Sequence, residues 1–180
     1  MAELLVPDPS VVLLVGAAGS GKSTFAARHF APPAVLSSDA LREAISGDAG
    51  NQAASRTAFA ALHRSLDRRL EAGLSTVVDA TNVTASARHA IRRIAGRHGV
   101  PVVVVVLDLP SKVVRARNAG RTGRRVPDAV VARQLEGVRA TVDGGALAAE
   151  GYALVVHLQA PAEVDALVVR TTGADASAER

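Results

Sequence analysis

Eight consecutive residues near the amino terminus have the types and spacing needed to hold phosphate groups. Residues 16–23 read Gly-Ala-Ala-Gly-Ser-Gly-Lys-Ser and match the pattern G-x-x-x-x-G-K-[ST]. The glycines allow a tight turn whose N–H groups point inward, and the helix that follows adds partial positive charge. In such a loop Lys22 reaches the β- and γ-phosphates of a nucleotide, and the Ser23 hydroxyl ligates Mg²⁺.

This loop predicts a site for ATP, or another nucleoside triphosphate, together with Mg²⁺. An apolar run, Val11–Val15, leads into the loop and an amphipathic segment, Ser23–Phe30, leads out of it, which is the strand–loop–helix context that the motif requires. The alternative is a glycine-rich turn between a strand and a helix that binds no ligand. The predicted nucleotide-binding residues of the loop are Gly16, Ala17, Ala18, Gly19, Ser20, Gly21, Lys22, Ser23 and Thr24.

A carboxylate follows the second predicted strand. The segment Ser37-Ser38-Asp39-Ala40-Leu41-Arg42 begins where that strand ends. Asp39 has the chemistry of a general base that takes the proton of an attacking hydroxyl, and Arg42 lies about one helical turn further on. Aspartate is also a favoured helix N-cap, so a structural role at the start of a helix over Ala40–Ser46 remains equally open.

A second carboxylate, Asp79, follows the third predicted strand. The segment reads Asp79-Ala80-Thr81-Asn82, and Asp79 stands where a Walker-B carboxylate would hold Mg²⁺ through water or contact Ser23. The alternative is a turn residue at a strand end. Asn82 either orients that carboxylate or caps the following helix.

An arginine-rich segment follows the fourth predicted strand. Residues 117–127 read Arg-Asn-Ala-Gly-Arg-Thr-Gly-Arg-Arg-Val-Pro. Glycines give flexibility and guanidinium groups bind phosphate, so this segment is predicted to be a lid that closes over the nucleotide and stabilises developing charge. The alternative is a solvated basic loop. Which arginines contact the phosphates stays open among Arg117, Arg121, Arg124 and Arg125.

The elements that must position these residues alternate along the chain. Apolar runs predict strands at Val11–Val15, Ala34–Ser37, Thr76–Val78, Val102–Leu107 and Ala153–Leu158. Helical periodicity fills most of the intervals between them. This alternation implies βαβ units and a parallel sheet buried on both faces, in which ligands bind at the carboxyl ends of the strands. We therefore expect an α/β P-loop NTPase fold of three layers, with a five-stranded, mainly parallel sheet and an arginine-rich lid.

The composition fits a globular protein and excludes several other classes. The chain has 180 residues, 48% apolar and 21% charged, so we expect one domain over 1–170 and a flexible tail over 171–180, where apolar residues are scarce. The absence of cysteine excludes disulfides and cysteine-ligated zinc. No apolar run reaches the roughly 18 residues of a membrane span and no signal peptide is evident, so we expect a cytoplasmic protein without a membrane partner.

The charge of the chain permits a polyanionic partner without requiring one. The formal net charge is +4, and only Lys22 and Lys112 among the 21 basic residues are lysines. Arginine suits bidentate contacts with phosphate. The histidines show no metal-ligand spacing, and no sequence signature indicates an oligomeric state.

Four motifs together resemble the polynucleotide 5′-kinase family, most closely the kinase domain of bacterial polynucleotide kinase-phosphatases. They are Gly16–Thr24, Ser37-Ser38-Asp39-x-x-Arg42, Val78-Asp79-Ala80-Thr81-Asn82 and Arg121–Pro127, and the resemblance extends over about residues 10–140. It implies a kinase-type P-loop fold and transfer of the γ-phosphate of ATP to a 5′-hydroxyl end of RNA or DNA.

The resemblance also implies roles for individual residues. Asp39 would be the base that activates the 5′-hydroxyl, and Arg42 would engage the acceptor's phosphate or the reacting site. Lys22 and Ser23 would bind the β/γ-phosphates and Mg²⁺. The phosphate-gripping arginines of the lid would be Arg121 and Arg125, with Arg124 as the register alternative, and Gln52 would lie in a loop that contacts the acceptor.

Two other functions are compatible with the same residues. Family members join the kinase to further domains, whereas this chain has the length of about one, which is compatible with separate repair enzymes or with a different acceptor. A kinase of a small hydroxyl-bearing molecule is the first alternative. An NTPase switch is less favoured, because Val77-Val78-Asp79-Ala80 offers no glutamate to position water.

Overall fold

Five segments form one sheet in which all neighbouring strands run parallel, in the order β3-β4-β2-β5-β6. The computed structural model describes residues 2–47, 54–122 and 124–172. The strands of this sheet are β2 (Val11–Val15), β3 (Val35–Ser37), β4 (Thr76–Asp79), β5 (Val102–Leu107) and β6 (Leu154–Leu158). The predicted α/β fold with a five-stranded parallel sheet is confirmed, and β2 lies at its centre.

Helices cover both faces of the sheet and produce the three layers. They are α1 (Lys22–His29), α2 (Ser38–Ser46), α3 (Ser55–Glu71), α4 (Ala85–Arg97), α5 (Ser111–Ala119), α6 (Asp128–Asp143), α7 (Ala146–Ala149) and α8 (Pro161–Ala166). Alternate residues of a strand point to opposite faces: Val12 and Leu14 pack in one cluster with α1, α5 and α8, and Leu13 packs in the other with α3 and α4. Among the described residues, no helix is both long and apolar enough to cross a bilayer.

A second, two-stranded sheet joins the two ends of the described chain. Strand β1 (Glu3–Pro7) pairs in parallel with β7 (Val168–Thr172), and the sequence reading had identified neither strand. Leu4 is 2% exposed and Leu5 53%, the alternation of a strand with one buried face. Thr171 and Thr172, assigned from sequence to the flexible tail, are the last two residues of β7, and residues 173–180 lie outside the described part.

Candidate active site

The phosphate-binding loop connects β2 to α1, and two of its glycines have backbone conformations that other residues rarely adopt. Gly19 has φ +91°, and a Cβ there would lie 2.5 Å from the carbonyl oxygen of Val114 in α5. Gly21 has φ +99°, a left-handed conformation that is costly for other residues. The loop therefore packs directly against α5, the helix that leads into the lid.

Lys22 begins α1 and folds back over the loop. Its Nζ donates to the carbonyl oxygens of Gly16 and Ala17, 2.9 Å in each case, and the residue is only 8% exposed. Burial lowers the pKa of Lys22 to about 8; the Asp79 carboxylate opposes this shift, and the Arg121 guanidinium adds to it. The ammonium group is thus held at the mouth of a loop whose N–H groups can bind anions.

Ser23 and Asp79 meet beside Lys22. The Ser23 Oγ donates to Asp79 Oδ2 at 2.7 Å, and Asp79 is the last residue of β4. A hydroxyl and a carboxylate oxygen in contact are the hard ligands that Mg²⁺ prefers, and they fit a cation that keeps water and takes phosphate oxygens as its other ligands. The described residues contain no cluster of three histidine, aspartate or glutamate side chains able to hold a metal alone.

Asp39 lies in the first turn of α2 and is not its N-cap. Helix α2 begins at Ser38, and its cap is Ser37, whose hydroxyl accepts from the Ala40 N–H. The interpretation of Asp39 as a cap is therefore wrong, because the helix starts earlier than the sequence indicated. The Asp39 side chain is 48% exposed and lies at the carboxyl edge of the sheet, next to the end of β3.

Two arginines converge on a single oxygen of this carboxylate. Arg42 donates from its η1 nitrogen to Asp39 Oδ1 at 2.7 Å, and Arg124 of the lid donates to the same oxygen at 2.6 Å. In the described part of the chain no partner is found for Asp39 Oδ2. The carboxylate is thus fixed in orientation by one oxygen while the other remains accessible.

The segment predicted to be a lid lies between α5 and α6, and hydrogen bonds join its two ends. The Asn118 side chain donates to the Val126 carbonyl at 2.8 Å and accepts from the Val126 N–H at 3.1 Å. Arg115 of α5 and Asp128 of α6 also form an ion pair. The sequence identified the arginines of this segment but not the pair of hydrogen bonds between Asn118 and Val126.

The lid arginines do not share one environment. Arg121 and Arg124 line the same cavity as Lys22 and Asp39. Arg125 is exposed and donates to the Ala119 carbonyl at 2.5 Å, so its guanidinium is used within the lid itself. Of the arginines that the resemblance implied, Arg121 and the register alternative Arg124 line this cavity, whereas Arg125 is not among its lining residues.

Two adjacent cavities meet at the P-loop. One, of about 210 Å³, contains Lys22, Ser23, Asp39, Asp79, Arg42 and Arg124 in its lining. The other, of about 410 Å³, is lined by Gly19, Gly21, Thr24, Phe25, Arg28, Arg117, Arg121, Val164 and Asp165. Arg121 lines both, so a ligand that extends from one cavity into the other would pass this guanidinium.

Asn82 has neither of the roles expected from sequence. Thr84 caps α4, its hydroxyl accepting from the Ala87 N–H, while the Asn82 Nδ2 donates to the Leu14 carbonyl at 2.8 Å. Asn82 has φ +50° and its carbonyl accepts from Arg88. The residue ties the end of β4 to β2 immediately before the P-loop.

Gln134 of α6 is a site residue that sequence reasoning missed. Its Oε1 accepts a hydrogen bond from the Ala18 N–H of the P-loop at 2.8 Å, and its side chain lines the 210 Å³ cavity. The two residues are 116 positions apart, so no local pattern signals the contact. Gln52, which the resemblance had implied as an acceptor contact, lies outside the described residues.

The loop between β2 and α1 and the carboxylate at the end of the neighbouring strand define a P-loop fold of the kinase type. A family model described as an AAA domain (AAA_33) matches residues 11–143, so the chain belongs to that family. No curated protein matches the chain.

Solved structures of similar fold include two proteins named as kinases and a chain of an RNA repair complex. A gluconokinase from Sinorhizobium meliloti 1021 is 22% identical, with a TM-score of 0.54 over 85% of this chain and 83% of its own. The APS kinase CysC from Mycobacterium tuberculosis is 20% identical, with a TM-score of 0.52 over 85% of this chain and 89% of its own. A chain of the Pnkp1/Rnl/Hen1 RNA repair complex is 21% identical, with a TM-score of 0.64 over 76% of this chain and 46% of its own.

Proposed function

We propose that this protein is an ATP-dependent kinase that transfers the γ-phosphate to a 5′-hydroxyl end of RNA or DNA. The observation that carries the proposal is the convergence of Lys22, the Ser23–Asp79 pair and Asp39 on one cavity beside the P-loop. Phosphoryl transfer requires a charge-neutralising clamp on the donor, a positioned acceptor and a group that takes its proton. The lining of this cavity supplies a side chain for each of these requirements.

The donor half uses the loop and its immediate neighbours. The P-loop N–H groups and the Lys22 ammonium bind the β- and γ-phosphates, in place of the loop carbonyls that Lys22 now contacts. Ser23 and Asp79 would hold Mg²⁺, which supplies further charge neutralisation on those phosphates. The nucleoside extends into the larger cavity past Arg121.

The acceptor half is built on Asp39. The oxygen Oδ2 accepts the proton of the attacking hydroxyl, whose oxygen forms a bond to the γ-phosphorus while the bond to the β,γ-bridging oxygen breaks and ADP leaves. Arg42 and Arg124 hold the carboxylate through Oδ1. A base that acts in the transition state contributes to turnover rather than to ATP affinity.

A polynucleotide acceptor is supported by the motifs around Asp39 and Asp79, by the positive charge beside them and by the fold shared with the RNA repair complex. A small hydroxyl-bearing acceptor is the second candidate. It is favoured by the size of the catalytic cavity, about 210 Å³, and by the fold shared with a gluconokinase and an APS kinase.

Labelled phosphate distinguishes the two acceptors. The protein is incubated with Mg²⁺ and γ-labelled ATP, together with 5′-hydroxyl RNA or DNA oligonucleotides, with gluconate or adenosine 5′-phosphosulfate, or with water alone. We expect label on the 5′-hydroxyl oligonucleotides and none on matched oligonucleotides that already carry a 5′-phosphate. Label only on a small acceptor would disprove the polynucleotide proposal and leave the kinase proposal standing.

The Asp39→Asn variant tests the base in the same assay. We expect transfer to fall by at least about 100-fold, while ATP affinity stays within about threefold of the original because the amide preserves the shape of the side chain. A variant that transfers phosphate normally, or that loses ATP binding, would contradict the role given to Asp39.

A further inference from the structure

A glutamine of α6 is joined to the P-loop and also borders the catalytic cavity. Gln134 accepts from the Ala18 N–H through Oε1 at 2.8 Å, and it is half-buried. Its side chain lines the same cavity as Lys22, Ser23 and Asp39. It is therefore in contact with the loop that would bind the donor and beside the groups that would bind the acceptor.

The hydrogen bond determines which end of the amide faces the loop. A backbone N–H can only donate, so the atom opposite Ala18 must be the amide oxygen. The Nε2 group, which carries two N–H donors, is then directed away from that N–H. In the described part of the chain no acceptor is found for Nε2, so its donors are available to a molecule in the cavity.

We infer that Gln134 is a further phosphate-contacting residue that donates from Nε2 to an oxygen of the γ-phosphoryl group. The inference rests on the proposed donor site, in which Lys22 and Ser23 hold the β- and γ-phosphates. A hydrogen bond to an anionic oxygen is strong, and a donor placed on the transferring group stabilises the charge that develops there. Because a diphosphate lacks this group, Gln134 makes the site prefer a triphosphate.

An isosteric substitution separates this role from simple support of the loop. The Gln134→Glu variant keeps an oxygen that can accept from Ala18 but replaces the Nε2 donors with a negatively charged oxygen. Affinities for ADP and for a non-hydrolysable ATP analogue, both with Mg²⁺, are measured by calorimetry. We expect affinity for the analogue to fall at least tenfold and affinity for ADP to change less than threefold.

The Arg133→Gln variant is the matched control, because it changes the net charge equally at an exposed position of the same helix. We expect it to leave both affinities unchanged. Equal loss of both ligands in Gln134→Glu, or no loss of either, would overturn the inference and leave Gln134 as a support for the loop. An original protein that binds neither nucleotide would instead overturn the proposed function itself.

Discussion

Lys22 is a residue of the candidate site whose surroundings change its acid–base chemistry. Burial lowers its pKa to about 8, and the ammonium group is bonded to the carbonyls of Gly16 and Ala17. A bound phosphate places negative charge next to this group and raises its pKa. A protein that binds nucleotide above pH 8 must therefore take up a proton at Lys22.

This linkage predicts how nucleotide affinity changes with pH. Below about pH 8 Lys22 is protonated in the free and the bound protein, so ADP affinity is nearly constant there. Above that pH the affinity falls, by up to about tenfold per pH unit, because binding requires protonation. Calorimetry between pH 7 and 9.5, in buffers of different ionisation enthalpy, measures both the affinity and the proton uptake.

The Lys22→Arg variant is the control, because arginine stays charged over this whole range. We expect weaker binding whose affinity does not change with pH. An original protein with a flat profile up to pH 9.5 would show that Lys22 does not contact the phosphates.

The lid is the element that connects the two halves of the site. Its ends are clamped by Asn118 and Val126, and Arg124 extends from it to Asp39. Arg124 and Arg125 are adjacent, yet only Arg124 lines the cavity. The sequence left open which lid arginines contact the phosphates. Two matched substitutions can therefore test this choice.

We expect Arg124→Ala to lower kcat/KM for phosphate transfer by about 100-fold, since it removes a donor next to the reacting groups. Arg125→Ala removes the same charge one residue away and is expected to lower kcat/KM less than threefold. Steady-state kinetics with the accepted substrate measure both. Equal losses would show that the lid moves into a different register when it binds ligands.

At the scale of the whole molecule, the central sheet was predictable because its strands are apolar runs buried on both faces. Val11–Val15 and Val102–Leu107 are buried throughout. Strand β1 was not predictable, because its one buried face is visible only in the structure, where Leu4 is buried and Leu5 is exposed. Its partner β7 also lies more than 160 residues away in the sequence.

The site was predictable to the extent that a local motif carries it. Lys22 and Ser23 belong to such a motif, whereas Gln134 and Asn82 reach the site through hydrogen bonds to distant backbone groups, 116 and 68 residues away. A hydrogen bond to a backbone atom does not depend on the residue type of the partner, so the sequence does not indicate it. A single sequence therefore predicts the phosphate-binding loop but not the distant side chains that hold it in place.

One such support, Arg88, joins Asn82 to α6 and to Glu150. It is 1% exposed, donates to the Asn82 carbonyl and to Thr141 of α6, and forms a two-point contact with Glu150 at 2.9 and 2.6 Å. Burial raises the pKa of Glu150, but the hydrogen bonds from Arg88 and Tyr152 outweigh it, so the net shift is downward. A lowered carboxyl pKa contributes stability above about pH 4.5 that is lost as the pH falls through the folded-state value.

We expect Arg88→Met to lower the free energy of unfolding at pH 7 by about 3 kcal/mol, because it leaves Glu150 and the Asn82 carbonyl without their cation. Arg93→Met, at an exposed position of the same helix, is expected to change it by less than about 0.5 kcal/mol. Urea unfolding measured at pH 7 and pH 3.5 separates the ionic part, since the difference between Arg88→Met and the original protein should shrink at the lower pH. A loss that is equal at the two pH values would show that Arg88 acts through packing and neutral hydrogen bonds rather than through its pairing with Glu150.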